Sequence, residues 1–276
     1  MSSTVLAKPR LLALERVGVL LLIACGGIAI IAPLVLTLYL SVFDETIILF
    51  PPKGYTLHWY AAMVPQFARP LLVSLELGLA SVAVSLLVGV PAGLALARYR
   101  FRGRTAVSTL LLAPLTIPGV ALGLAIFCFA VLIEENTGIP LSSSIAVLIA
   151  AHVLITTPWV VRLCLAGLAN HDLAAEEAAT SLGARPLTVI WRGTLPAMRQ
   201  GIIAAALFAF IISFENLEMT LFLISPGLTT LPISVLQYLQ YHIDPMVAAV
   251  AVAQIFVIGG ALLLLDRYVK LGRVVQ

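Results

Sequence analysis

The sequence predicts an all-α polytopic membrane protein with six transmembrane helices, and three observations lead there. Hydrophobic residues make up 61% of the 276 residues, charged residues only 11%, and the mean hydropathy is +1.10. A soluble domain carries about a quarter charged residues. The apolar residues gather into six runs, at approximately 17–42, 70–97, 107–133, 144–168, 201–224 and 246–266. Each is near the ~20 residues that a helix needs to cross a bilayer. Of the 16 Lys and Arg residues, all but Lys53 and Arg69 fall at the N-terminus, around 98–104, around 162–199 or after 266. The bias of positive charge toward the cytoplasmic side places both termini there, and an even number of spans agrees.

Residues 1–16 read as a cytoplasmic tail, with Lys8, Arg10 and Arg16 as topology anchors. The apolar run that follows is too long for the core of a secretory signal and lacks a small-residue cleavage site. Residues 17–42 are therefore the first transmembrane helix, with Pro33 inside it. Residues 43–69 form a periplasmic loop, long enough for a short surface helix, with Trp59 and Tyr60 at the interface where such rings settle. Residues 70–267 then hold five helices. The second span carries Glu76 near its outer end, with Ser74, Ser81 and Ser85 along its length. It ends in a basic run, Arg98, Arg100, Arg102 and Arg104, which the topology bias explains and which also suits acidic lipid headgroups. Pro114, Pro118, Gly119 and Gly123 interrupt the third span and allow close approach of neighbouring helices.

The fourth span is unusually polar at mid-membrane, with His152, Thr156, Thr157, Pro158 and Trp159, and Arg162 can snorkel from its cytoplasmic end. The fifth contains Phe214, Glu215, Asn216 and Glu218. Residues three apart share a helix face, so both carboxylates are expected to point the same way. Charge at membrane depth is costly and normally faces a cavity, a partner or a pathway. Glu76, His152, Trp159, Phe214, Glu215 and Glu218 are accordingly the candidate pathway residues. The alternative is a structural pair satisfied by His152 or by a partner's polar groups. The sixth span has Gln254 as its one clearly polar residue, and 268–276 is a cytoplasmic tail.

Between the fourth and fifth spans lies the longest segment that reads as ordered and water-exposed, 172–200. Asp172 can cap a helix start, Glu176 and Glu177 suit the first turns, and Ala174, Ala175, Ala178 and Ala179 favour helix with little bulk. Gly183 ends the helix and Pro186 starts another. The pattern is helix, sharp turn, helix, with small residues that let another protein pack closely. It is a docking element.

Glu177-Ala178-Ala179, Gly183 and Leu195-Pro196 resemble the EAA loop of ABC-importer permeases, with the family's spacing between glycine and proline. Gly193 departs, since the family usually has Ile or Val there. The third-span pattern from Pro114 to Gly123 is similar to that of polyamine-type permeases. Residues 208–250, with Thr230-Leu-Pro-Ile and Asp244-Pro, resemble the spermidine/putrescine-type members, and the resemblance covers about 55–270. It implies a type I ABC importer permease fold in a bacterial inner membrane. It also implies two cytoplasmic ATPase subunits that bind ATP and Mg, a second and different permease, and a periplasmic or extracellular solute-binding protein. Glu176, Glu177, Ala178, Ala179, Gly183, Leu195 and Pro196 would contact or shape the contact with the ATPase. The implied solute is a polyamine, with opines, amino acids or phosphonates as alternatives.

No cofactor is expected in this chain. It lacks a G-x-x-x-x-G-K-[ST] loop and has no Gly-Lys pair, so the usual ATP chemistry is not expected of it. H-E-x-x-H and G-x-S-x-G are also missing. His58, His152, His171 and His242 are dispersed, and no metal site is expected. Cys25, Cys128 and Cys164 lie in predicted spans and read as packing residues. The rival class is a stand-alone secondary transporter, which would be expected to show internal repeats. No clear repeat relates residues 1–138 to 139–276. An intramembrane enzyme would need a nucleophile or metal cluster, and neither is found.

Overall fold

The computed structural model describes residues 9–47, 50–169, 173–225 and 227–269. Among these the protein is helical, and the sole β feature is an isolated bridge between Phe43 and Tyr55. The helices are α1 (Pro9–Leu40), α2 (His58–Ala62), α3 (Val64–Arg98), α4 (Arg104–Leu112), α5 (Gly119–Thr137), α6 (Ile145–Ala169), α7 (Leu173–Ser181), α8 (Pro186–Val189), α9 (Leu195–Ala197), α10 (Arg199–Phe214), α11 (Leu231–Leu239) and α12 (Pro245–Val269). Four of them are long and apolar enough to cross a membrane, namely Gly18–Leu40 within α1, α3, α5 and α6. A fifth arises if Pro186–Ala197 and Arg199–Phe214, bent by 69°, are one broken span. Pro245–Gly260 is a shorter apolar stretch.

The chain divides into two compact units, Met1–Val64 with His242–Gln254, and Pro65–Tyr241 with Ile255–Gln276. In the first, none of the side chains from Gly18 to Leu40 of α1 is buried, as expected of a helix whose solvent is lipid or another subunit. Helix begins by Pro9, so the tail expected to end at 16 is partly helical. The loop beyond α1 is fastened locally. Trp59 Nε1–H donates to the Phe43 carbonyl at 2.7 Å, and the Ser41 and Tyr60 hydroxyls are 2.8 Å apart. Trp59 is buried. The expected short helix is α2, and α3 starts earlier than anticipated, taking residues 64–69 from the loop.

The second unit is built on close approaches that small residues permit. A Cβ on Gly201 of α10 would lie 3.4 Å from the Gly167 Cα of α6. Gly89 and Gly93 of α3 face Val160 and Cys164 of α6 in the same way. Polar side chains close the same α3–α6 seam, with the Ser85 and Thr156 hydroxyls 2.6 Å apart. Two apolar clusters sit on either side, one around Leu77, Leu148 and Met219, the other around Val160, Met198 and Ala205. Cys164 is a packing residue, as expected, but Cys25 and Cys128 are exposed on the outside of the chain.

Two expected spans are broken. The run at 107–133 is not one helix. After α4 and a tight turn at Ala113–Thr116, Ile117 is extended and a new helix begins at Gly119. Pro118 disfavours helical geometry in the residue before it, which accounts for the break. The run at 201–224 stops at Phe214, and Glu215 to Met219 are not helical before a 3₁₀ turn at Thr220–Phe222. The helix-face argument for Glu215 and Glu218 therefore does not apply.

Candidate functional site

The hairpin expected to dock a partner forms from local chemistry. Gly183 has φ +88°, a left-handed conformation that side chains rarely adopt. Ala184 N–H donates to the Ala179 carbonyl at 3.0 Å, and Gly183 N–H to the Thr180 carbonyl at 2.9 Å. This pair of bonds is the Schellman ending of a helix. Pro186 then occupies the first turn of α8, where its missing N–H costs nothing. The chain continues through a wider π turn at Ile190–Thr194 and the short α9, which contains Leu195 and Pro196. Gly193 lies in the π turn with nothing within 4 Å of a would-be Cβ, so its departure from the family pattern removes no packing within the chain. The cap expected at Asp172, like His171, lies outside the described residues.

The two adjacent glutamates have different surroundings. Glu176 turns inward, and its Oε1 accepts from the Arg98 guanidinium of α3 and from the Thr194 hydroxyl at 2.8 Å. The Arg98 and Glu176 side chains are only 18% and 16% exposed, so this carboxylate braces α7 against α3 and the π turn. Glu177 and Ala178 are exposed, and Ala179 is half-buried. A cleft of about 540 Å³ opens beside them, lined by Arg98, Tyr99, Glu176, Glu177, Pro186 and Val189 among others. Large apolar side chains rim the element. Leu182, Leu187 and Trp191 are 89%, 70% and 69% exposed. Sequence reading passed over these three, although large exposed apolar patches mark protein or membrane contacts.

The pathway candidates separate in space. Glu215 and Glu218 are exposed on the break after α10, and Glu76 is exposed on α3. Phe214 is buried and stacks with Phe210, with centroids 5.5 Å apart. Trp159 stacks on Phe208 of α10 at 6.1 Å. His152 is fully buried and does not pair with either glutamate. Its Nδ1 is 2.8 Å from the Ser213 hydroxyl and its Nε2 is 3.1 Å from that of Thr220. On the other side, Gly119 and Gly123 of α5 form a floor under the break. A Cβ on Gly119 would lie 2.6 Å from Glu218 Oε2, and one on Gly123 would lie 2.5 Å from the Met219 carbonyl oxygen. No group of three metal-ligating side chains occurs among the described residues.

Residues 89–271 match the family of binding-protein-dependent transport system inner membrane components, and the chain belongs to that family. It is 31% identical to the putrescine transport system permease protein PotI of Escherichia coli K12 over 239 residues, covering 86% of this chain and 84% of that protein. It is 36% identical to the molybdenum transport system permease protein ModB of Mycobacterium tuberculosis over 217 residues, covering 75% and 81%. The spermidine/putrescine transport system permease protein PotC of E. coli K12 is 25% identical over 201 residues, with 72% and 74% covered.

The fold is shared with a bacterial ABC transporter that imports the acidic polysaccharide alginate, at TM-score 0.71 and 15% identity over 96% of this chain and 99% of that one. The MetNI methionine ABC transporter gives 0.63 and 20% over 76% and 97%. By its family and relatives the chain is an ABC-importer permease, similar in sequence to permeases of both polyamine and molybdenum systems.

Proposed function

We propose that this subunit forms half of a polyamine pathway and is driven by separate ATPase chains docked on 172–200. In this reading six spans cross the membrane, with α12 completing the set, and both termini are cytoplasmic. A second, different permease encloses the other half of the pathway. Two ATPase subunits bind ATP and Mg, and closing of their dimer moves the hairpin toward or away from the membrane. A periplasmic binding protein delivers the solute to the outward-open state. Each ligand biases a two-state element because it binds one state better than the other. The carrying observation is the exposed Glu177–Ala178 surface at a Schellman turn, held by the Glu176–Arg98 brace.

For the solute, the support is the likeness to PotI and PotC together with the two exposed carboxylates on the α10 break. Negative surface charge raises the local concentration of cations. Replacing both, Glu215→Gln with Glu218→Gln, is expected to lower putrescine uptake by the reconstituted complex about tenfold, by removing that field. Wild-type uptake in the double variant would remove the carboxylates from the pathway. A second reading, a molybdenum-bearing solute, rests on the identity to ModB. Uptake of molybdenum but not of putrescine would establish it in the same assay.

A further inference from the structure

We infer that His152 is a positioning residue that clamps the two sides of the α10 break together and so fixes where Glu215 and Glu218 stand. The meaning of this clamp for transport rests on the pathway reading above, whereas the clamp itself does not. Ser213 is in the last turn of α10, before the break, and Thr220 opens the 3₁₀ turn after it. One imidazole on α6 reaches both, at 2.8 Å and 3.1 Å. Between them the helix ends: Glu215 N–H still bonds the Ile211 carbonyl at 2.9 Å, but Asn216 to Met219 are not helical, so contacts from outside the segment help to define its path.

The bonds around Thr220 assign the proton on the ring. The Thr220 hydroxyl donates to Asn216, whose main-chain and side-chain oxygens lie 2.9 Å and 3.0 Å away. A hydroxyl has one proton, so toward His152 it can only accept. Nε2 must then carry the hydrogen, and Nδ1 accepts from the Ser213 hydroxyl. Ser213, His152 and Thr220 all have partners in this arrangement with a neutral ring. Asn216 Oδ1 also accepts from the Thr220 main-chain N–H at 3.2 Å, which tightens the loop from inside. Neither nitrogen is left over for a carboxylate, and the two glutamates remain outside the network, exposed. Thr156 donates to the His152 carbonyl at 2.7 Å and also meets Ser85 of α3, so the clamp is anchored to a second helix.

The floor of the break supplies the test. A Cβ at position 119 would lie 3.0 Å from the Glu218 Cβ, just inside the about 3.5–4.5 Å at which disulfides form, so a small local outward shift brings the pair into range. The pair Gly119→Cys with Glu218→Cys would be made with Cys25 and Cys128 changed to serine, in the full complex in membranes. Its rate of oxidative cross-linking reads the position of the break directly. His152→Leu is expected to slow the cross-link about tenfold, since it removes both buried bonds. His152→Gln, which still reaches Thr220 as a donor, is expected to stay within about threefold of the parent by keeping one of them.

If the leucine chain fails to assemble, Ser213→Ala with Thr220→Val removes the same bonds from the other side and carries the same expectation. Unchanged cross-linking in the leucine chain, or in the Ala/Val chain, would overturn the clamp. A slowed cross-link combined with normal uptake in the Glu215/Glu218 glutamine variant would leave the clamp standing and discard the pathway reading instead.

Discussion

Replacing Glu177 with arginine is expected to leave the subunit folded and assembled while transport falls at least about tenfold, as reversal of a contacting charge does at interfaces. ATP hydrolysis by the complex should then no longer follow solute loading. The reason is local. Glu177 is exposed on α7, so the chain itself loses little when it changes, and surface substitutions of this kind are usually nearly neutral for stability. Its neighbour provides the contrast. Glu176→Ala removes the acceptor for Arg98 and Thr194, leaving a half-buried guanidinium without its carboxylate. That should cost about 2 kcal/mol of stability, in the range for bonds to charged groups, and lower the melting temperature of the purified complex. Thermal melting and coupled ATPase assays on the two variants separate docking from bracing. A Glu177→Arg complex that transports at the wild-type rate would remove Glu177 from the contact.

The second large effect is expected at Gly123. An alanine there would place its Cβ 2.5 Å from the Met219 carbonyl oxygen and 2.8 Å from the Met219 Cα. Both are backbone atoms and cannot swing aside as a side-chain tip would. Met219 is fully buried and belongs to the apolar cluster with Leu77 and Leu148. The break must shift or α5 must move away, and overpacking of this type costs about 3 kcal/mol. The expected outcome is a sharp loss of folded subunit in detergent, measured by thermal unfolding. Gly193→Ala, with open space at its Cβ, serves as the control and should be neutral. A Gly123→Ala subunit as stable as the parent would mean that α5 and the break do not approach as closely as described.

The helix–turn–helix form of the hairpin was legible in the sequence because its determinants are local. Gly183 at a positive φ, Pro186 in a first turn and the alanine-rich α7 each declare themselves within a few residues. The membrane-length helices α1, α3 and α6 were legible from apolar run length, whereas the runs at 107–133 and 201–224 are broken, and small residues such as Gly119 and Gly123 announced close approaches without saying to what. What was hidden depends on distant partners. Glu176 looks like its neighbour until Arg98, 78 positions away, is placed beside it. The break after Phe214 lies in an apolar run with no proline. Its path is set by hydrogen bonds from His152, 61 and 68 positions away from Ser213 and Thr220. Periodicity cannot register such bonds, so Glu215 and Glu218 were read on one face of a helix that ends before them.

The proposed coupling links a solute-binding protein outside the membrane to an ATPase on its cytoplasmic face through this subunit. Its most direct test is the ATPase activity of the purified complex in lipid, with the binding protein empty, loaded with putrescine, or left out. Stimulation by the putrescine-loaded protein alone is the predicted result. Failure of any ATPase to associate with the subunit, or hydrolysis indifferent to the binding protein in all three states, would contradict it.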